Sequence, residues 1–201
     1  MITLGVLISG SGTNLQAIIS AIDAGELDAR IALVISSRSD ALGLKRAHSA
    51  GIASVGLTKE VYDDPLWADM LIAKQMMDAK VDYLVMAGYM RKVGPLLLEA
   101  FRDRIINIHP ALLPSFPGAH GIQDAFEAGV KVTGVTVHFA NEVYDQGPII
   151  AQQALQIPEG ETLEELETRI HTIEHELYPR VLQLLAQGRV IITEQRKTRI
   201  T

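Results

Sequence analysis

Asn107 and His109 stand two residues apart at the end of the apolar run RIINIHP, and prolines follow at positions 110, 114 and 117. Side chains alternate along a strand, so this pair should project from one face where the strand runs out. Prolines cannot extend a sheet or a helix, and their fixed φ angles stiffen the loop behind the pair. An amide can donate to a developing oxyanion, and an imidazole can stabilise the same charge or move a proton. Asp145, in the polar stretch NEVYDQG, is a candidate partner that would orient the imidazole and favour its charged form. The sequence alone does not bring Asp145 to His109, and a lone histidine at a strand end is more often structural.

A second constellation is VLISGSGTNLQAI, where an apolar run meets glycines and then a helical pattern. Gly10 and Gly12 let the backbone approach an anion, and Ser11, Thr13 and Asn14 add hydroxyl, amide and backbone donors at a helix N-terminus. The stretch lacks the Gly-Lys-Ser/Thr of a Walker A loop. It also lacks the third glycine of the dinucleotide fingerprint, whose place Leu15 occupies. The second apolar run ends in SSR rather than an acid, which speaks against NAD. Phosphate binding is the expectation; a tight turn that binds nothing is the alternative.

The third is HTIEH, His171 to His175, which matches the H-x-x-E-H pattern of one zinc-peptidase class. Histidines four apart share a helix face, but the motif needs a further acidic ligand and a different fold. A polar helix face is the preferred reading, and no metal is expected. His48 reads as solvated, and Trp67, Tyr62 and Phe101 read as packing residues.

The elements that must position these groups follow from periodicity. Short runs rich in Val, Ile and Leu at about residues 2 to 8, 31 to 36, 81 to 87 and 104 to 108 alternate with helical patterns at Asn14 to Ala24, Ala41 to Ala50, Leu66 to Ala79 and Gly94 to Phe101. That is the pattern of parallel strands buried on both faces, with crossover helices. GIQDAFEAG reads as another helix closed by Gly129, and KVTGVTVHFA and GPIIAQQALQI as a strand pair, expected to be antiparallel. Thr162 and Glu165 form a capping box that opens a long helix, which Pro179 is expected to kink or interrupt. A last strand, RVIITE, precedes a basic end, RKTRI, read as solvated. The expected fold is α/β and Rossmann-like: one domain over residues 1–201, with a mainly parallel twisted sheet, helices on both faces and an antiparallel C-terminal strand.

The 201 residues suit one domain, and 48% hydrophobic with 21% charged content is that of a globule with a sizeable core. Without cysteine the chain has neither disulfides nor thiolate metal sites, compatible with a cytoplasmic location. No signal peptide is read at the N-terminus, and no apolar run reaches the length of a membrane span. A formal charge of -6 argues against nucleic-acid partners, while leaving room for a small anionic substrate met by local donors.

ISGSGTNLQAI, AGYMRKV, NIHPALLPSFPGAH, GVTVHF and DQGPII, in this order and at these separations, resemble the phosphoribosylglycinamide formyltransferase family, folate-dependent enzymes of purine synthesis. The likeness runs from the first strand through EHELYP near residue 179. NIHPALLP is shared among folate formyltransferases in general, and GSGTN narrows the choice. The resemblance implies Asn107, His109 and Asp145 as the catalytic trio, 10-formyltetrahydrofolate as co-substrate and donor, and the amine of glycinamide ribonucleotide as acceptor. It implies phosphate binding by Ser11, Gly12, Thr13 and Asn14, ribose binding by Glu174, and folate binding by Met90, Arg91, Val93, Asn141, Glu142, Val143 and Tyr144. His120 and His138 match family histidines and are expected to support the trio. Leu113-Pro114 is a candidate cis peptide.

Two departures from the family pattern stand out. Many relatives carry an arginine for the folate glutamate tail where this chain reads YDDPLWAD with Pro65, and many carry a second histidine where this chain has Ile122. Partners are expected to be small molecules only, with neither nucleic acid nor membrane, in a monomer or homodimer. The rival readings are a formyltetrahydrofolate hydrolase and a folate or nucleotide sensor without turnover. The hydrolase usually has an N-terminal regulatory domain and the tRNA-directed relative a C-terminal one, and neither is expected here.

Overall fold

The run ITLGVLI forms strand β1 (Ile2–Ile8), buried at every residue but its first. A strand covered on both faces needs helices on both sides, and the elements that follow supply them. In the computed structural model, which describes residues 1–201, the chain continues through α1 (Thr13–Asp23), β2 (Ala29–Ser36), α2 (Leu42–Ser49) and β3 (Ser54–Gly56). A 3-10 turn over Lys59–Asp63 then leads to α3 (Pro65–Asp78), β4 (Tyr83–Met86), α4 (Pro95–Ala100) and β5 (Ile105–His109). The chain divides into two compact units, Met1–Asn107 and Ile108–Thr201.

In the first unit the strands lie in the order β3-β2-β1-β4-β5, each pair parallel. The chain moves outward from β1 through β2 and β3, then returns to the other side of β1 for β4. Right-handed crossovers therefore place α1 and α2 on one face and α3 and α4 on the other. The packing of α1 on α2 and of α3 on α4 agrees. At the carboxyl end of β1 the direction of winding reverses, the point at which open α/β sheets form their ligand crevices. Leu4, Val6, Leu7 and Ile8 of β1 and Leu84 and Val85 of β4 are fully buried. Each such side chain contributes about 1.5–3 kcal/mol relative to exposure.

Helix α3 explains Pro65. Proline stands at its first position, where no N–H is needed, and the Asp64 carboxylate caps the helix by accepting from the N–H groups of Leu66 (3.0 Å) and Trp67 (3.1 Å). Trp67, expected to pack inside, is 48% exposed, because its place in the first turn turns the ring to solvent. Phe101 is buried as expected, and His48 is exposed.

In the second unit α5 (Gly121–Glu127) precedes β6 (Val132–Phe139) and β7 (Ile149–Gln156), which pair antiparallel. Helix α6 (Leu163–Ala186) opens on the capping box: Thr162 Oγ1 accepts from the Glu165 N–H at 3.3 Å, and Glu165 Oε2 from the Thr162 N–H at 2.8 Å. Leu166, Ile170, Ile173, Leu177 and Val181 make its buried stripe. Pro179 starts no new element; the helix runs through it to Ala186.

The basic end does not stay solvated as a free tail. Strands β8 (Val190–Ile192) and β9 (Thr198–Ile200) form a two-stranded antiparallel hairpin. The Thr193 N–H donates to the Lys197 carbonyl at 2.7 Å to close its turn, and the Thr198 hydroxyl donates to the Ile149 carbonyl. Alternation in a segment this short is too weak a signal to separate a strand from a tail, and the pairing is set by its partner rather than by its own pattern.

Candidate active site

His109 ends β5 and is 3% exposed. Asn107, two residues earlier on the same strand, shares its face. The imidazole Nε2 lies 2.7 Å from the Phe116 carbonyl oxygen, and Nδ1 lies 3.4 Å from Asp145 Oδ2. A carbonyl cannot donate, so the Phe116 contact calls for an N–H on Nε2. The longer Asp145 contact is an ion-pair distance rather than a tight hydrogen bond, and it leaves Nδ1 the less committed nitrogen.

Asp145 is buried and adopts a left-handed backbone, φ 56°. Aspartate tolerates that region better than most residues, and the turn it makes aims the carboxylate inward. Its Oδ2 also accepts from the Gly118 N–H at 2.8 Å, and its Oδ1 lies 3.7 Å from His138 Nε2. The His138 ring is anchored from behind by donation from Nδ1 to the Phe139 carbonyl, 2.9 Å. Burial pushes the Asp145 carboxyl upward. Bonds from His138 and the Gly118 N–H, with the nearby charges of His109 and His138, outweigh that and hold it below the ordinary carboxylate value. The buried carboxylate is thus an anion between two imidazoles.

The proline loop is held by side chains of the β6–β7 pair. The Thr136 hydroxyl donates to the Ala111 carbonyl (2.7 Å) and accepts from the Leu113 N–H (3.1 Å), while Gln152 Nε2 donates to the Leu113 carbonyl (2.9 Å) and to Thr136 Oγ1 (3.0 Å). The Leu113–Pro114 peptide is cis. A Cβ on Gly121 would stand 3.0 Å from His109 Nε2, so glycine leaves the room the ring uses. Replacing Thr136 by valine keeps the shape but strands the buried Ala111 carbonyl and Leu113 N–H. A loss of about 1–3 kcal/mol in urea unfolding is expected; an unchanged midpoint would remove Thr136 as the anchor of this loop.

His120 stands exposed at the N-cap of α5, and Ile122 is buried in that helix. Asn141 to Tyr144 form the loop leading to Asp145, where Asn141 Oδ1 accepts from the Val143 N–H at 3.1 Å. Glu142, Val143 and Tyr144 are exposed. On α6, Glu174 is buried and its Oε2 accepts from His171 Nδ1 at 2.8 Å. That bond, against the smaller opposing effect of burial, raises the His171 pKa above its ordinary value. His175 stacks on His171 with ring centroids 6.5 Å apart. No group of three or more histidine, cysteine or acidic side chains is placed to hold a metal ion.

In the first unit, Gly12 is the N-cap of α1 in a left-handed conformation, φ 71°, with Ser11 exposed and Asn14 buried. Past β4, the Met90 N–H donates to Ser9 Oγ (2.8 Å), which in turn bonds Ser37 Oγ (2.6 Å). Met90 and Arg91 are exposed and Val93 is buried. The Arg91 guanidinium lies 4.6 Å from the centroid of the Tyr62 ring, and the Tyr62 hydroxyl bonds that of Tyr89 at 3.0 Å. Asp69, buried on α3, accepts from the Gly94 N–H at 3.1 Å and ties down the end of this segment. Burial pushes its carboxyl above the usual range, against the N–H groups of Gly94, Leu97 and Leu96. Asp69 was not marked by sequence; it sits inside an apolar pattern, and only its burial gives it away.

The model of the family described as formyl transferase matches residues 3–182. The chain belongs to that family. It is 42% identical over 180 residues to the phosphoribosylglycinamide formyltransferase of Bacillus subtilis (strain 168), covering 90% of this chain and 92% of that protein. It is 43% identical over 187 residues to the trifunctional purine biosynthetic protein adenosine-3 of Drosophila pseudoobscura pseudoobscura, covering 92% of this chain and 14% of that longer protein. Among solved structures, glycinamide ribonucleotide transformylase 1 from Symbiobacterium toebii superimposes with a TM-score of 0.96 at 47% identity, covering 100% of this chain and 94% of that one. No helix is long and apolar enough to cross a membrane.

Proposed function

We propose that this formyl transferase family member transfers a formyl group from 10-formyltetrahydrofolate to the amine of glycinamide ribonucleotide, a step of purine biosynthesis carried out in the cytoplasm. The observation that carries the reading is the buried Asp145 carboxylate set between His109 and His138. An anion there orients the imidazole of His109 where negative charge must develop.

In this reading the amine lone pair forms a bond to the formyl carbon, and the carbonyl electron pair moves onto oxygen. Asn107 and the protonated His109, through Nδ1, stabilise that oxyanion. Asp145 balances the imidazolium and, through water, helps carry the proton from the attacking amine to the folate nitrogen. The carbon–nitrogen bond to the folate then breaks, and tetrahydrofolate leaves. His138 acts by holding Asp145, and His120 is assigned a supporting role at the start of α5.

Residues 1–201 are taken as one catalytic domain with small-molecule partners, as a monomer or homodimer and without a metal. Ser11, Gly12, Thr13 and Asn14 bind the ribonucleotide phosphate at the N-terminus of α1, and Glu174 accepts from its ribose hydroxyls. Met90, Arg91, Val93 and the Asn141–Tyr144 loop receive the folate. Arg91, without an arginine at position 65, is the side chain offered to the glutamate tail.

The deciding assay is tetrahydrofolate release from 10-formyltetrahydrofolate with and without glycinamide ribonucleotide, in the presence of a chelator. Turnover that requires the ribonucleotide supports the transferase. Equal turnover without it would make the protein a hydrolase, and folate binding with neither turnover would make it a sensor. Alanine at Ser11 or Asn14 is expected to raise the KM for the ribonucleotide at least about ten-fold while the folate KM moves less than about two-fold, since charge-assisted bonds to phosphate are lost on one ligand only. Equal losses for both ligands would refute the phosphate assignment.

A further inference from the structure

Helix α2 holds the Gly10–Gly12 loop by its carbonyls. The Gly43 N–H donates to the Gly10 carbonyl at 3.1 Å, and Arg46 Nε donates to the Ser11 carbonyl at 2.9 Å. A second guanidinium nitrogen, Nη1, lies 3.4 Å from Gln16 Oε1 on α1, which sets the plane of the group. The two helices meet without side chains between them here: a Cβ on Gly12 would stand 2.6 Å from Gly43 Cα, and one on Gly43 would stand 3.2 Å from Gly12 Cα.

A trans peptide is planar, and its C=O and N–H point in opposite directions. Drawing the Gly10 and Ser11 carbonyls toward α2 therefore turns the N–H groups of Ser11 and Gly12 away from it, side by side. Two successive N–H groups converging beside a helix N-terminus form a concave anion-binding nest. The charged guanidinium on the Ser11 carbonyl also polarises that peptide, which makes the Gly12 N–H a better donor.

We infer that Arg46 is a positioning residue of the phosphate loop, acting through the Ser11 carbonyl to aim and strengthen the Gly12 N–H for the phosphate of the acceptor. This rests on the phosphate assignment proposed above and adds a residue to it. Arg46 lies 35 positions from Ser11 and on the neighbouring helix, so its part follows from the packing of α2 on the loop.

The test compares glycinamide ribonucleotide with its phosphate-free riboside as acceptors, in the unaltered protein and in Arg46→Ala and Arg46→Lys. Arg46→Ala is expected to raise the KM for the ribonucleotide about ten-fold or more, with kcat, the folate KM and the use of the riboside all within about two-fold. Arg46→Lys, which still offers a cation and a donor to the carbonyl, is expected to recover most of the loss. A uniform fall in kcat and rise in every KM, with a lowered melting temperature, would make Arg46 a purely structural residue and overturn the inference. So would an Ala variant indistinguishable from the unaltered protein on both acceptors. If the unaltered protein itself fails to prefer the ribonucleotide over the riboside, the phosphate assignment fails, and this inference with it.

Discussion

His109→Ala is expected to bring formyl transfer to background, a loss of at least about 1,000-fold in kcat, while folate binding stays within several-fold. The size follows from what the ring supplies. In the proposed mechanism it is the donor at the strand end where the formyl oxygen gains charge, and a buried site gives such a donor far more effect than water would. Folate affinity is expected to be spared because the residues proposed to hold the folate, Met90, Arg91, Val93 and the Asn141–Tyr144 loop, do not include His109. The alanine also removes one of the two imidazoles beside the buried Asp145 carboxylate, so some stability should be lost as well. Single-turnover assays at saturating folate separate the two effects. A variant that folds and still transfers formyl groups would remove His109 from the mechanism.

Asp145→Asn is expected to lower kcat by about 1,000-fold with a much smaller change in either KM. The amide keeps the shape but removes the negative charge that balances both imidazoles, and its nitrogen cannot accept a bond. A pH signature accompanies the kinetic one. The Asp145 carboxyl lies below its ordinary value in the folded protein, although burial pulls the other way. Its charged form therefore stabilises the fold above the unfolded carboxylate value of about 3.9, and the contribution is lost as pH falls through the lower folded value. The stability gap between the Asn variant and the unaltered protein should be full at neutral pH and close below about pH 4. Urea midpoints measured from pH 7 to pH 3 test this. A gap that persists unchanged into acid would mean that Asp145 contributes packing and hydrogen bonds rather than charge.

The elements were legible where the chain repeats a strong pattern. The four parallel strands, the antiparallel pair and the long capped helix were all read from apolar periodicity and the Thr162–Glu165 spacing. Strand β3 and the 3-10 turn were not, because segments of three and five residues are too short to carry a period of their own. RVIITE was read as a strand, but its partner β9 was missed for the same reason. Trp67 was read as core from its residue type, and helix geometry turned it outward.

The sequence by itself determined the placement of Asn107 and His109 on one strand face, the glycines at the start of α1 and the stiff loop after His109, since each depends on neighbours within a few residues. Tertiary structure alone decided the rest. Asp145 comes to His109 because β6 and β7 carry a left-handed turn back toward the loop, where Gly118 and His138 complete its shell. Thr136 and Gln152 hold the proline loop from 23 and 39 residues away. Arg46 holds the glycine loop from another helix. These partners are joined by chain folding over long separations, where no local periodicity records which donor meets which acceptor.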